Sequence, residues 1–170
     1  MAKVLHSIRR ARPDDAGAIA HVHADSWREA YRGIIPGRQL ESMIARRGAP
    51  WWRRAVVSGA RLIVCEFEGE VVGYASVGSS RARFLPYAGE IFELYLAPTF
   101  QGLGFGARLF GAARGELRRT GRSSFVVWAL AENARALRFY ERLGGVEVWR
   151  APERFGNEVL ARVAFGFDAR

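Results

Sequence analysis

The amino-acid chain has 170 residues, of which 49% are hydrophobic and 25% are charged. These proportions exclude a disordered or fibrous chain and favour one globular domain over residues 1–170. No apolar run approaches the ~20 residues needed to cross a bilayer, and the N-terminus lacks the apolar stretch of a signal peptide, so we expect a cytoplasmic protein without a membrane partner. The single cysteine, Cys65, excludes an intrachain disulfide.

The formal net charge of +9 favours anionic ligands such as phosphorylated cofactors. Nearly all of the positive charge is arginine, scattered along the chain instead of gathered in one basic segment. This scatter disfavours nucleic acid as a partner. The histidines His6, His21 and His23 show no metal-ligand spacing with Cys65 or with clustered carboxylates, so we expect no metal site.

In chain order, the first predicted element is a short edge strand over residues 6–10. Pro13, followed by two aspartates, opens a helix that runs to about Tyr31, because proline suits a first helical turn and acids stabilise it there. Apolar residues at intervals of about three to five give this helix one buried stripe. Two further segments are predicted next, a helix over 36–45 and a helix or lid-like connection over 49–57.

The remainder of the chain alternates strands with helices. Strands are predicted over 61–67, 71–77, 90–96, 124–129, 146–150 and 159–167, and helices over 104–120 and 133–143. The first two of these strands are joined by a short turn and form a hairpin. Because strands and helices alternate, the pattern predicts a mixed α/β sheet with helices on both faces.

A glycine-rich turn joins the strand over 90–96 to the helix that follows it. Gly102, Gly104 and Gly106 let the backbone turn sharply and approach a ligand, and the amides in the first turn of a helix attract an anion. The pattern predicts a pyrophosphate site, with a tightly packed helix start as the alternative. It also fits a dinucleotide-binding fingerprint, but a Rossmann domain usually places that turn directly after its first strand.

A second motif follows about thirty residues later, again between a strand and a helix. Asn133 suits a helix N-cap, and Phe139 and Tyr140 precede Gly144. The pattern Q-x-x-G-x-G that starts at Gln101, followed by N-x-x-A-x-x-F-Y-x-x-x-G from Asn133, resembles the two motifs of the GNAT superfamily of N-acetyltransferases.

The resemblance extends over nearly the whole chain, since segments 8–15 and 26–33 also look like the opening of GNAT domains. One departure is Gly145, where many members carry an aromatic residue. The resemblance implies a single-domain α/β (α+β) GNAT fold. Its central sheet would be mixed, mostly antiparallel and twisted, with six to seven strands, splayed at the cofactor cleft and covered by helices on both faces.

The implied activity is an acetyl-CoA-dependent N-acetyltransferase that moves an acetyl group by direct transfer to a primary amine of a small molecule or a protein. Acetyl-CoA would be the co-substrate, and no metal would take part. The alternative is a non-catalytic acetyl-CoA sensor or interaction module on the same fold. Dimers are common in the family, so the resemblance leaves a homodimer open.

The resemblance also implies which residues bind the cofactor. Backbone groups of Leu94 and Leu96 would hold the pantetheine arm, and Tyr95 between them is a further candidate for cofactor binding. Amides of the glycine-rich turn would hold the pyrophosphate, and these residues are Gln101, Gly102, Leu103, Gly104, Phe105, Gly106 and Ala107. Asn133 would bond the pantetheine arm or serve only as an N-cap. The candidates for the 3′-phosphate are Arg108, Arg138 and Arg142.

Catalysis requires a base, because a protonated alkyl amine holds its proton with a pKa near ~10. Glu90 and Glu93 lie in odd register on one predicted strand, so we expect them on opposite faces, and resemblance to histone-acetylating relatives favours Glu90. Tyr140 matches the tyrosine that protonates the departing thiolate in the family, with a buried core tyrosine as the alternative. Trp27 and Tyr31 would line the acceptor pocket, unless they only pack the core.

Overall fold

The structure is a computed structural model that describes residues 6–169. Its strands are β1 (His6–Arg10), β2 (Arg61–Phe67), β3 (Glu70–Ser79), β4 (Gly89–Leu96), β5 (Phe125–Leu130), β6 (Val146–Phe155) and β7 (Glu158–Phe167). Its α-helices are α1 (Ala16–Tyr31), α2 (Gly37–Ala45), α3 (Ala49–Val57), α4 (Phe105–Arg119) and α5 (Ala134–Arg142). Short 3-10 turns at Pro13–Asp15 and Pro98–Phe100 precede α1 and the glycine-rich turn.

The predicted elements are present, and the largest difference is the length of β6. The sequence predicted this strand only to residue 150, whereas it continues to Phe155. Pro152 lies within the extension, and a proline usually indicates the end of a strand. A proline is tolerated here because β6 is at the edge of the sheet, where a missing N–H removes no bond to a further strand.

The seven strands form one sheet in the order β1-β2-β3-β4-β5-β7-β6. All neighbouring pairs are antiparallel except β4 and β5, which are parallel. This parallel pair has only three register positions, from Gly89 opposite Phe125 to Ile91 opposite Val127. Beyond Ile91 the two strands part, so the predicted mixed and splayed sheet of six to seven strands is confirmed.

Helices cover both faces of the sheet, as predicted. On one face α4 buries Leu109, Phe110 and Leu117 in the largest hydrophobic cluster. On the other face α1 and α3 pack over β2 and β3 through a second cluster that includes Ile19 and Trp52. Helix α2 lies on this second side as well, against residues from β5 and β6. The splay between β4 and β5 therefore opens between two helical layers.

Candidate active site

A cleft of ≈ 550 Å³ lies where β4 and β5 part. It is lined by α1, the C-terminal half of β4, the glycine-rich turn and α5. The predicted cofactor residues found there are Leu94, Tyr95, Leu96, Gln101, Gly102, Gly104, Gly106, Ala107, Asn133 and Tyr140. The other two are not in the lining: Leu103 is 66% exposed, and Phe105 packs against Phe67 and Phe100.

The three glycines of the turn have different structural roles. Gly102 and Gly104 have φ angles of 77° and 87°, in the left-handed region that favours glycine. Gly106 has an ordinary φ, but a Cβ atom there would come within 3.1 Å of the Phe139 ring on α5. Gly104 is the N-cap of α4, so the free amides of the first helical turn lie at the cleft. This arrangement suits a pyrophosphate.

The edge of β4 supplies further backbone groups to the cleft. The amide of Ala97 donates to the Val72 carbonyl at 2.8 Å, on the β3 side. Because backbone groups alternate in direction along a strand, those of Tyr95 also face β3, and those of Leu94 and Leu96 face the gap. Tyr95 therefore presents its side chain, whereas Leu94 and Leu96 present backbone groups.

The Gln101 side chain forms a hydrogen bond with one of these backbone groups. Its Nε2 donates to the Leu96 carbonyl at 3.0 Å, and its Oε1 is buried with no partner among residues 6–169. The glutamine in the turn thus has a local structural role, since it ties the turn to the end of β4. The amide of Leu96 and both backbone groups of Leu94 remain for a ligand.

Tyr140 and Asn133 bring α5 to the same cleft. The Tyr140 side chain is 6% exposed, and burial raises the pKa of its hydroxyl, so it stays protonated at neutral pH. Within the described part of the chain, its hydroxyl has no hydrogen-bond partner. Asn133 caps α5, since its Oδ1 accepts from the Ala136 amide at 3.2 Å, and it also lines the cleft, so both of its predicted roles are compatible with its position.

The expectation that Glu90 and Glu93 point to opposite faces is wrong. Val77 of β3 pairs with Ile91, but the preceding residue Ser76 pairs with Glu93, so Phe92 is the extra residue of a β-bulge. The partners of the two glutamates on β3, Gly78 and Ser76, are two residues apart. Because side chains alternate along β3, both glutamates lie on the face that carries α1 and α3.

The two glutamates nevertheless have different surroundings. Glu90 is 1% exposed and accepts hydrogen bonds from the backbone amide of Arg81 at 2.8 Å and from Nη2 of Arg81 at 2.7 Å. It lies opposite Val126, where β4 and β5 are still paired, and it fastens the loop that precedes β4. Glu93 follows the last paired position, so it lies at the splay.

Glu93 forms an ion pair with Arg47, which lies between α2 and α3. The Ser76 hydroxyl donates to its Oε2 at 3.4 Å. Burial raises the pKa of Glu93, although the Arg47 charge opposes that shift. A carboxylate with a raised pKa is a stronger proton acceptor once it is ionised.

Arg47 lies among three tryptophan rings, one of which, Trp27, was predicted to line the acceptor pocket. Its guanidinium carbon lies 4.7 Å from the Trp51 ring centroid and 5.8 Å from those of Trp27 and Trp52. Trp52 is 1% exposed. These rings therefore position the cation beside Glu93, and Trp52 is a core residue.

A chain of aromatic hydroxyls adjoins this ion pair. The hydroxyls of Tyr31 and Tyr95 lie 2.5 Å apart, and burial raises the pKa of Tyr31 to about 12. On the same face, the Tyr74 hydroxyl lies 2.7 Å from Nδ1 of His23, and burial lowers the pKa of His23 to about 3, so this imidazole is neutral. Aromatic side chains recur every four residues on α1, at His23, Trp27 and Tyr31. This spacing is the sequence signal that could have identified the inner face of α1 as polar and aromatic.

The basic residues predicted for the 3′-phosphate separate in space. Arg142 lines the cleft, together with Arg135, which sequence reasoning missed. Arg138 is not in this lining, and Arg108 contacts His6. Within residues 6–169 there is no group of three or more His, Cys, Asp or Glu side chains that could hold a metal ion, and no helix is long and apolar enough to span a bilayer.

A splayed sheet edge, an amide-rich helix start and a buried tyrosine meet in one cleft, and this arrangement suits an extended ligand that carries phosphate groups. Comparison with known proteins identifies the family. The family model described as "Acetyltransferase (GNAT) family" matches residues 18–145. This chain belongs to the GNAT acetyltransferase family, as the sequence motifs predicted.

Individual relatives agree with this assignment. The uncharacterized N-acetyltransferase YuaI of Bacillus subtilis is 33% identical over 135 residues, which is 79% of this chain and 77% of YuaI. The L-amino acid N-acyltransferase MnaT of Escherichia coli is 29% identical and covers 89% of this chain and 87% of its own. The structure of yncA from Salmonella typhimurium with acetyl-CoA superposes with a TM-score of 0.71 at 26% identity, covering 98% of this chain and 95% of yncA.

Proposed function

We propose that this chain is an acetyl-CoA-dependent N-acetyltransferase that transfers acetyl directly to a primary amine of a small molecule or a protein, as one domain over residues 1–170. The observation that carries the proposal is the splay after Ile91. It leaves the β4 backbone unpaired on the side of Tyr140 and places the largely buried carboxylate of Glu93 on the side of α1. A thioester in the gap would then have an acid on one side and a base on the other.

The cofactor residues form a continuous path along the cleft. The amides of the first turn of α4 would bind the pyrophosphate, and the backbone groups of Leu94 and Leu96 that face the gap would bind the pantetheine arm. Arg135 and Arg142 at the cleft would bind phosphate oxygens through their planar guanidinium groups. Acetyl-CoA in the yncA structure supports this choice of co-substrate.

Glu93 is the base that the geometry favours over Glu90, which is fully engaged with Arg81. It would accept a proton from the acceptor ammonium, directly or through a water molecule. The amine nitrogen would then form a bond to the thioester carbonyl carbon, and the carbon–sulfur bond would break as the tetrahedral intermediate collapses. Tyr140 would donate its hydroxyl proton to the departing sulfur, and its oxygen would regain a proton from the nitrogen of the new amide, directly or through a water molecule.

The acceptor would enter from the face that carries α1 and α2, where Trp27 and Tyr31 lie beside Tyr95. MnaT is named for L-amino acid acceptors, which favours a small-molecule amine over a protein amine. The alternative function, an acetyl-CoA sensor, would need the same cleft without the base and the acid. The presence of Glu93 and Tyr140 at the splay therefore favours an enzyme.

The proposal is tested by following thiol release from acetyl-CoA with a panel of primary amines. We expect release that depends on the amine. In Tyr140→Phe we expect kcat to fall by at least ~10-fold with the KM for acetyl-CoA unchanged, because the ring remains and only the proton donor is lost. Tyr87→Phe is the matched control, since Tyr87 lies outside the cleft against Gly166. Acetyl-CoA binding without release on any amine would favour the sensor, and an unchanged kcat in Tyr140→Phe would refute the role of Tyr140.

A further inference from the structure

Arg162 of β7 lies across the splay from the proposed base. Val126 of β5 pairs with Glu90, so every second residue of β5 from Val126 lies on the face of the two glutamates. This places Trp128 and Leu130 on that face, and Leu130 pairs with Arg162. Arg162 and Trp128 therefore share the acceptor face with Glu93, on the strands that diverge from β4.

The Arg162 guanidinium is held by stacking and has no counter-charge among residues 6–169. Its Cζ lies 4.1 Å from the centroid of the Trp128 ring, so the planar group stacks on the indole. Its Nε is buried without a hydrogen-bond partner. Within the described residues, no carboxylate lies at ion-pair distance from Arg162, whereas two other arginines are paired with the glutamates of this face, Arg47 with Glu93 and Arg81 with Glu90.

A long arginine stem often does no more than cover an aromatic ring. Two features here point instead to a ligand. The buried Nε–H lacks an acceptor, which is a cost that an oxygen bound beside it would remove. The stacked guanidinium also holds its remaining N–H groups in the fork that matches a carboxylate, so little side-chain freedom is lost when an anion binds.

We propose that Arg162, stacked on Trp128, binds a carboxylate of the acceptor, and that the acceptor is an amine that carries a carboxylate, such as an α-amino acid. The proposal rests on the proposed function and identifies the acceptor class of that same site. The acceptor ammonium would then face Glu93 while its carboxylate faces Arg162. A zwitterion matches this pair of opposite charges, one on each side of the splay.

The test compares L-amino acids with their carboxamides as acetyl acceptors in the full chain. The variants are Arg162→Gln, Arg162→Lys and the control Arg154→Gln. Arg154 is exposed and pairs with Val159, three positions before Arg162 on β7, so it lies on the opposite face of the same hairpin. Each variant is compared with the wild type on the same acceptor, so differences in amine basicity cancel.

We expect Arg162→Gln to lower kcat/KM for amino acids by about 10- to 100-fold, the range for loss of a charge-assisted hydrogen bond, and to change kcat/KM for the carboxamides by less than about twofold. Arg162→Lys should recover part of the loss, because it restores the charge but not the fork. The same loss on both acceptor types, or no loss on amino acids, would overturn the proposal. A wild type that acetylates carboxamides but not amino acids would overturn it while the proposed function stands, whereas a wild type that acetylates no amine would refute both.

Discussion

Replacing Arg47 with glutamine is predicted to move the acid limb of the pH–rate profile to higher pH. In the proposed reaction only ionised Glu93 accepts the acceptor proton, so kcat/KM falls as the pH drops through the pKa of Glu93. The Arg47 charge lowers this pKa against the effect of burial. Arg47→Gln removes that charge, so Glu93 becomes protonated at a higher pH and activity is lost earlier on acidification.

The size of the shift depends on how well water screens the ion pair. A unit charge about 4 Å away contributes about 4 kcal/mol at an effective dielectric constant near 20 and about 1 kcal/mol in bulk water. The Glu93 side chain is 11% exposed and the Arg47 side chain 32% exposed, so the pair lies between these limits. We therefore expect a shift of about 1 to 2 pH units, equivalent to about 1.4 to 2.7 kcal/mol.

The assay measures kcat/KM from about pH 5 to 9 for the wild type, Arg47→Gln, Glu93→Gln and Arg46→Gln. Arg46→Gln removes the same charge from the neighbouring exposed residue and should leave the limb in place. Glu93→Gln should abolish the limb. The profile is measured with acceptors whose amines differ in basicity. An acid limb that stays at the same pH is set by the enzyme, whereas one that moves with the basicity of the amine is set by the acceptor. A limb at the same pH in Arg47→Gln and Arg46→Gln, or a limb retained in Glu93→Gln, would refute Glu93 as the base.

Two further predictions concern stability and cofactor binding. Burial lowers the pKa of His23 to about 3, so the unfolded chain binds a proton that the folded chain does not. The free energy of unfolding should therefore fall by roughly 1.4 kcal/mol per pH unit as the pH drops from about 6 towards 3. Urea titrations at several pH values should show a smaller loss of stability on acidification in His23→Gln than in the wild type. His21→Gln should behave like the wild type, because the His21 side chain is 80% exposed. Gly104→Ala should cost about 1 kcal/mol of stability, because the φ of Gly104, 87°, is left-handed, and it should raise the KM for acetyl-CoA. Gly111→Ala within α4 should instead stabilise the chain by about 0.5 to 1 kcal/mol. Equal effects of the two substitutions on thermal unfolding would contradict this account.

The glycine-rich turn could be predicted from the sequence because its determinants are local. A strand end, three glycines and a helix start lie within a few residues, and each glycine acts through its own φ or its own missing Cβ. The N-cap at Asn133 and the exposure of Tyr140 to the cleft follow in the same way from one short motif. The sequence also correctly predicted the order of strands and helices, since the apolar periods of β2 to β5 and α4 are regular.

The ion pair of Arg47 and Glu93 could not be predicted, because its partners are 46 residues apart and meet only when α2 and α3 pack on the sheet. Arg47 also lies in a run of two arginines, and nothing in that run distinguishes the half-buried one from the exposed one. Arg162 on Trp128 is similar, since their pairing depends on the register of β5 with β7. Charge patterns along the chain identify basic residues, but burial decides which of them act at the site.

The β-bulge at Phe92 links the two halves of the proposed site. A bulge bends its strand and increases the local twist, and β4 stops pairing with β5 at Ile91, the residue directly before it. The same extra residue turns Glu93 onto the acceptor face. Gly78 opposite the bulge leaves room for the Phe92 ring, which a Cβ there would meet at 2.8 Å. The backbone edge for the cofactor and the base for the acceptor therefore depend on one inserted residue, so a variant that removed the bulge would displace both together.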